Sequence, residues 1–94
     1  MAKFKVAHLN QQGQNMVIFP LDSSYDRKTE AEQLEAMAAL QACSIAAGLA
    51  GQVVVIWKSG RNTKFRAPQL WHAFFKSVTY EQIVMSINKE VTCG

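Results

Sequence analysis

QVVVIWK, residues 52–58, is the stretch on which the reading of the fold turns. A strand with one face in water alternates apolar and polar side chains. Here Val53, Val54, Val55 and Ile56 run without a polar break into Trp57, so both faces of the strand must be covered. Such a strand belongs in the middle of a sheet, with a layer on each side. Ser59-Gly60-Arg61-Asn62 supplies a turn signal immediately after it, and TKFRA (63–67) fits a short fourth strand returning antiparallel, with Lys64 and Arg66 on one face and Phe65 on the other.

Upstream, EAEQLEAMAALQACSIAAGLAG (30–51) is rich in Ala, Leu, Met and Glu and predicts a long helix. Thr29 followed by Glu32 has the form of a capping box, which places its start near Thr29, and Gly48 and Gly51 are plausible stops. The acidic first turns suit the positive end of the helix dipole. From Ala36 to Ala47 only Gln41 and Ser44 interrupt an apolar or small surface, and a helix with so little polar face is expected to be covered.

Further upstream, KFKVAHL (3–9) alternates in its first half, with Phe4 and Val6 on one face and Lys3 and Lys5 on the other. MVIFPL (16–21) follows after a polar run containing Gly13. The pair predicts a hairpin, and Pro20, which lacks a backbone donor, marks its second strand as an edge or as ending there.

Downstream of Trp57, Pro68 at a helix N1 position opens QLWHAFFKSV (69–78), where Leu70, Trp71, Phe74, Phe75 and Val78 form an apolar stripe at helical spacing. Thr79 with Gln82 repeats the capping-box form. Tyr80, Ile83, Val84, Ile87 and Val91 recur at helical spacing, although QIVMSI alone also suits a strand, so helix or strand stays open over 79–92.

The reading is therefore α+β, one domain over 1–94. A small sheet of three or four strands (N-terminal hairpin, long helix, central strand, possible fourth strand) is covered by about three helices. If the second and third strands lie parallel, the long helix makes a right-handed crossover. Ferredoxin-like topology is near but does not fit a chain that begins with a hairpin.

A chain of 94 residues that is 49% hydrophobic and 18% charged is globular, and the Met1-Ala2-Lys3 start has no apolar run of the secretory kind, so a cytoplasmic protein without a membrane segment is expected. Cys43 and Cys93 show no C-x-x-C or Cys/His metal spacing and are expected as free thiols, with no metal bound. No phosphate-cradling glycine motif is present, so no cofactor is expected.

The least random feature is charge: no acidic residue falls between Glu35 and Glu81, whereas Lys58, Arg61, Lys64, Arg66 and Lys76 do, with His72 among them. These six are the candidate contacts for an anion or nucleic acid, since clustered cations raise the local potential and neighbouring aromatics can stack bases. The competing reading is a solvated turn, with Trp57, Phe65 and Trp71 pointing inward. His72 has only Gln69 and Lys76 within helical reach, neither of them a carboxylate to orient an imidazole, and His8 and Tyr80 complete the groups an enzyme could use; no catalytic set emerges. Asp22, Asp26, Glu30, Glu32 and Glu35 lack the spacing of a calcium loop. The expectation is a non-enzymatic binding or interaction module, a homodimer joined through small side chains such as Ala42, Ala46, Ala47 and Gly48. A further protein or a nucleic acid is the alternative partner.

Overall fold

The computed structural model describes residues 2–11, 13–49, 51–67 and 69–93. Its centre is a five-stranded mixed sheet in the order β4-β3-β2-β1-β5, formed by β1 (Ala2–Gln11), β2 (Gln14–Pro20), β3 (Gln52–Ser59), β4 (Asn62–Arg66) and β5 (Lys89–Cys93). The apolar run of β3 does what its composition demands. Val53, Val55 and Trp57 are buried against the helix α1 (Glu30–Ala46), while Val54 and Ile56 are buried on the opposite face against α2 (His72–Lys76) and α3 (Tyr80–Met85). Register carries the same division into β2, where Val17 and Phe19 face α1 and Met16 and Ile18 face the short helices.

β2 and β3 run parallel and are joined through α1, and β3 and β4 form an antiparallel hairpin about Gly60 and Arg61. The centre of the sheet is β2 rather than β3, which lies one strand in from the edge. Pro20 ends β2 without making it an edge: the missing donor falls on the last position, and the next residue restores the link through Leu21 N–H to Ile56 O at 2.8 Å.

α1 begins as its sequence dictates, with Thr29 accepting from the Glu32 amide and Glu32 accepting from the Thr29 amide. It ends in a Schellman motif: Gly48 at φ 78° directs its N–H to Ile45 O, and Leu49 N–H reaches Ser44 O. Gly51 has a different reason for its identity. A Cβ there would stand 2.5 Å from Asn15 O, so only glycine lets the chain enter β3 beside β2. The Gln41 side chain secures that entry, accepting from Val53 N–H at 2.9 Å and donating to Gly51 O at 3.1 Å.

Three further expectations are corrected. The sheet has five strands, not three or four, because residues 79–92 are helix and then strand. Thr79 and Gln82 form the second capping box, α3 stops at Met85, and Lys89–Cys93 pairs antiparallel with Ala2–Val6. The outer edge of β1 would otherwise leave its backbone groups unpaired, and pairing there sets Val91 opposite Phe4 on the α1 face. Asn88 extends the join, its side chain accepting from His8 N–H and donating to His8 O.

The segment after β4 is also shorter than the stripe implies: a 3-10 turn at Gln69–Trp71 leads into only five residues of α2. Pro68 and the Leu70 side chain, assigned above to that helix start and stripe, lie outside the described residues.

The third correction concerns the cysteines. β5 brings Cys93 beside Cys43 of α1 at a Cα separation of 5.4 Å, and the two form a disulfide instead of remaining free. Closing a loop of 50 residues is worth about 4 kcal/mol by the chain-entropy relation. Disulfides persist in oxidising compartments and are reduced in the cytosol, so this bond and the cytoplasmic location expected above pull in opposite directions. No helix among the described residues is long and apolar enough to cross a membrane.

Candidate functional site

The basic stretch does not fold into one patch. Alternation along the β3–β4 hairpin puts Lys64, opposite Trp57, and Arg66, opposite Val55, on the α1 face, while Lys58, opposite Thr63, turns to the α2–α3 face. Arg61 projects from the turn between them and Lys76 is exposed on α2. His72 is half-buried, its Nε2 2.9 Å from Ala67 O and its ring edge-on to Phe65 at 5.3 Å. Trp57 and Trp71 are buried and Phe65 is half-buried, so those aromatics serve the two layers of the core.

The long gap between acidic residues also closes in space. Lys58 is ion-paired with Glu81 at the start of α3, and Lys64 with Asp26 at 3.1 Å. Asp26, in the 3-10 turn Ser23–Arg27, accepts additionally from Trp57 Nε1 at 3.1 Å and Ser59 Oγ at 2.9 Å. Those bonds, the one from Trp57 first, hold its carboxyl below the usual carboxylate range. Gln33, buried in α1, accepts from Arg66 Nε at 2.7 Å and donates to Tyr25 O at 3.0 Å, while the Tyr25 hydroxyl donates to Gln33 O at 2.8 Å. Asp26 and Gln33 thus lash the turn, α1 and the β3–β4 hairpin together. Neither stands out in the sequence, because their partners on the β3–β4 hairpin lie 31 to 38 residues away.

Two depressions flank this network. One is a polar groove of about 660 Å³ whose cations are Lys28, Lys64 and Arg66, with Asp26 and Glu30 on the same walls. The other is an apolar cleft of about 380 Å³ between α1 and the 3-10 turn, walled by Phe4, Leu21, Tyr25, Ala36, Leu40 and Cys93. Lys28 borders both.

No family model matches the chain, and no curated protein or solved structure matches it either. What the molecule does has to be read from its own surfaces.

Three of the five acidic residues between Asp22 and Glu35, namely Asp22, Asp26 and Glu32, hold structural bonds. Asp22 caps the 3-10 turn by accepting from Ser24, whose side-chain and backbone bonds hold its carboxyl low, and Glu32 closes the capping box of α1. Among the described residues no group of three His, Cys, Asp or Glu side chains is placed to hold a metal ion. His8 belongs to β1 and His72 to α2, on opposite sides of the sheet, since His8 shares the α1 face with Phe4 and Val6. Tyr80 lies with the α2–α3 layer, where burial pushes its phenol up.

The outward side of α1 is the third surface. Ala31, Leu34, Ala38, Ala42, Ile45 and Ala46 are exposed and recur three or four residues apart, which gathers them on one face. Leu34 retains 52% and Ile45 66% of its accessible surface. Ala42, Ala46, Ala47 and Gly48, the small residues expected at a dimer contact, are all exposed.

Proposed function

We propose that this chain is a small non-enzymatic interaction module that acts as a homodimer, with the outward face of α1 as the pairing surface. The observation that carries the reading is the exposed apolar stripe from Leu34 to Ile45, which contains one charged residue, Glu35, at its N-terminal end. Its spacing is self-complementary. In an antiparallel pair with the two-fold axis near position 40, Leu34 of one copy meets Ile45 of the other and Ala38 meets Ala42, where small side chains let the backbones approach.

Charge favours the same direction. A parallel pair would crowd Glu30, Glu32 and Glu35 of both copies, whereas the antiparallel pair places these clusters at opposite ends. Sedimentation velocity over a dilution series is the test. Wild-type chain is expected to sediment as a dimer at tens of micromolar, and Ala42→Glu as a folded monomer, since the position is exposed in the single chain. A wild-type monomer across the whole series overturns the reading.

A polyanion partner such as nucleic acid is the second reading, supported by the meeting of Lys28, Lys64 and Arg66 at the polar groove. Contacts would be to phosphate, with affinity falling steeply as salt rises and little sequence preference. Lys64→Glu combined with Arg66→Glu is expected to abolish oligonucleotide retention at low salt while leaving self-association unchanged. Absence of any retention by the wild-type chain at low salt eliminates the reading.

A further inference from the structure

The apolar cleft beside α1 is not part of the pairing face, and it touches the polar network only through Tyr25. Its floor is Phe4 of β1 and Cys93 of β5, one wall is Leu21 and Tyr25, and the other is Ala36 and Leu40 of α1. A void persists here because of residue choice. Ala36 and Ala39 stand where α1 passes the 3-10 turn, and longer side chains would fill the space as Leu40 does one position further round. At about 380 Å³ the cleft falls in the range of small-ligand sites, roughly 300–1,000 Å³.

The mouth carries two charges with different availability. The Asp22 carboxylate accepts from the amide and the hydroxyl of Ser24, both at Oδ1. The Lys28 side chain has no hydrogen bond or ion pair among the described residues, and it borders both the cleft and the polar groove. A ligand with an apolar body and a single negative head fits this lining, burying the body against Phe4, Tyr25 and Leu40 and placing the head on Lys28, the cation of the mouth. The Lys28 ammonium has no hydrogen-bond partner among the described residues, although it lies within the electrostatic reach of Asp22 and Glu32.

We propose that this cleft binds a small amphiphilic carboxylate, with its hydrocarbon body between α1 and the 3-10 turn and its carboxylate on Lys28. The cleft opens on the flank of α1, beside the Leu34–Ile45 stripe and not within it. Binding is therefore independent of self-association, and the monomeric Ala42→Glu chain is expected to bind as the wild type does.

The disulfide anchors one end of the site. Cys93 contributes to the floor and is fixed to Cys43 on the helix that forms the wall, so the oxidised chain presents the cleft in one shape.

Isothermal titration of the oxidised chain with decanoate, 1-decanol and decylamine, each below its micelle-forming concentration, tests the assignment, with amide NMR shifts locating the ligand. Decanoate is expected to bind saturably and tightest, shifting the amides of Phe4, Tyr25, Ala36 and Ala39. Lys28→Gln is expected to weaken decanoate by up to about fivefold, which is what an exposed ion pair is worth, and to leave 1-decanol unchanged. Ala39→Trp, an exposed helix position whose new side chain folds over the cleft, is expected to abolish binding of all three while the fold, read by the remaining amide spectrum, is retained. Saturable binding of none of the three, decylamine binding as tightly as decanoate, or full binding by Ala39→Trp would each overturn the proposal.

Discussion

On the α1 side of the sheet, core residues are tied by directed polar bonds as well as by packing: Trp57 to Asp26, Tyr25 to Gln33, Gln41 to the start of β3, and Cys43 to Cys93. On the other side α2 and α3 are five and six residues long; the Lys58–Glu81 ion pair, Tyr80 N–H to Thr63 Oγ1 at 3.2 Å and His72 Nε2 at 2.9 Å from Ala67 O tie them at the rim, while the centre of the layer is held by aromatic packing. Phe75 lies 5.4 Å from Phe65 and 5.0 Å from Phe74, centroid to centroid, and the buried Trp71 indole N–H has no hydrogen-bond partner among the described residues. Helices that short are marginal by themselves, so apolar burial must supply what propensity does not. The difference teaches that in one layer the directed bonds reach buried residues such as Trp57, Tyr25 and Gln33, which leaves room for clefts, while in the other they stay at the rim and the centre is filled by bulk. The groove and the cleft described above both border α1.

The largest expected effect tests whether the two layers are separable. Phe75→Ala should cost about 3–5 kcal/mol, because it removes a fully buried ring from the α2–α3 layer and leaves a cavity in its core. Reducing the disulfide should cost about 2–4 kcal/mol on the α1 side. Urea melts of wild-type and Phe75→Ala chains, each oxidised and reduced, form a cycle in which the two losses should add to within about 0.5 kcal/mol, since the groups lie on opposite faces and share no partner. A coupling well above that breaks the comparison, because it would mean the sheet transmits strain between its faces.

The smaller effect sharpens it. Asp26 titrates lower in the folded chain than in the unfolded one because Trp57, Lys64 and Ser59 bond its ionised form. A depressed carboxyl contributes stability above its unfolded value of about 3.9, and that contribution is lost as pH falls through the lower folded value. Asp22, Glu32 and Glu81 are shifted the same way and form the background. Stability should therefore fall on acidification below about pH 4 less steeply in Asp26→Asn than in wild type. Identical slopes would show that the hub contributes no pH-dependent stability to the α1 layer.

Much of this molecule is legible in single segments. The unbroken apolar run of β3 forced two layers around it, Thr29 with Glu32 and Thr79 with Gln82 set two helix starts, and Gly48 set a helix end. Each of these rests on neighbours within a few residues, where local hydrogen bonding and side-chain periodicity act directly. The fifth strand did not show itself, because Ile83, Ile87 and Val91 satisfy a helical period until the open edge of β1 is present to claim Lys89–Cys93.

The site followed the same division. Composition along the chain concentrated Lys58, Arg61, Lys64, Arg66 and Lys76 in one acid-free interval, and only the folded sheet sent Lys58 to one face and Lys64 and Arg66 to the other, each near a carboxylate or amide from a distant segment. The disulfide, the Asp26 hub and the cleft at Lys28 are likewise products of the tertiary structure. All three join residues far apart in the chain, and their pairing is decided by which backbone edges and apolar faces must be covered.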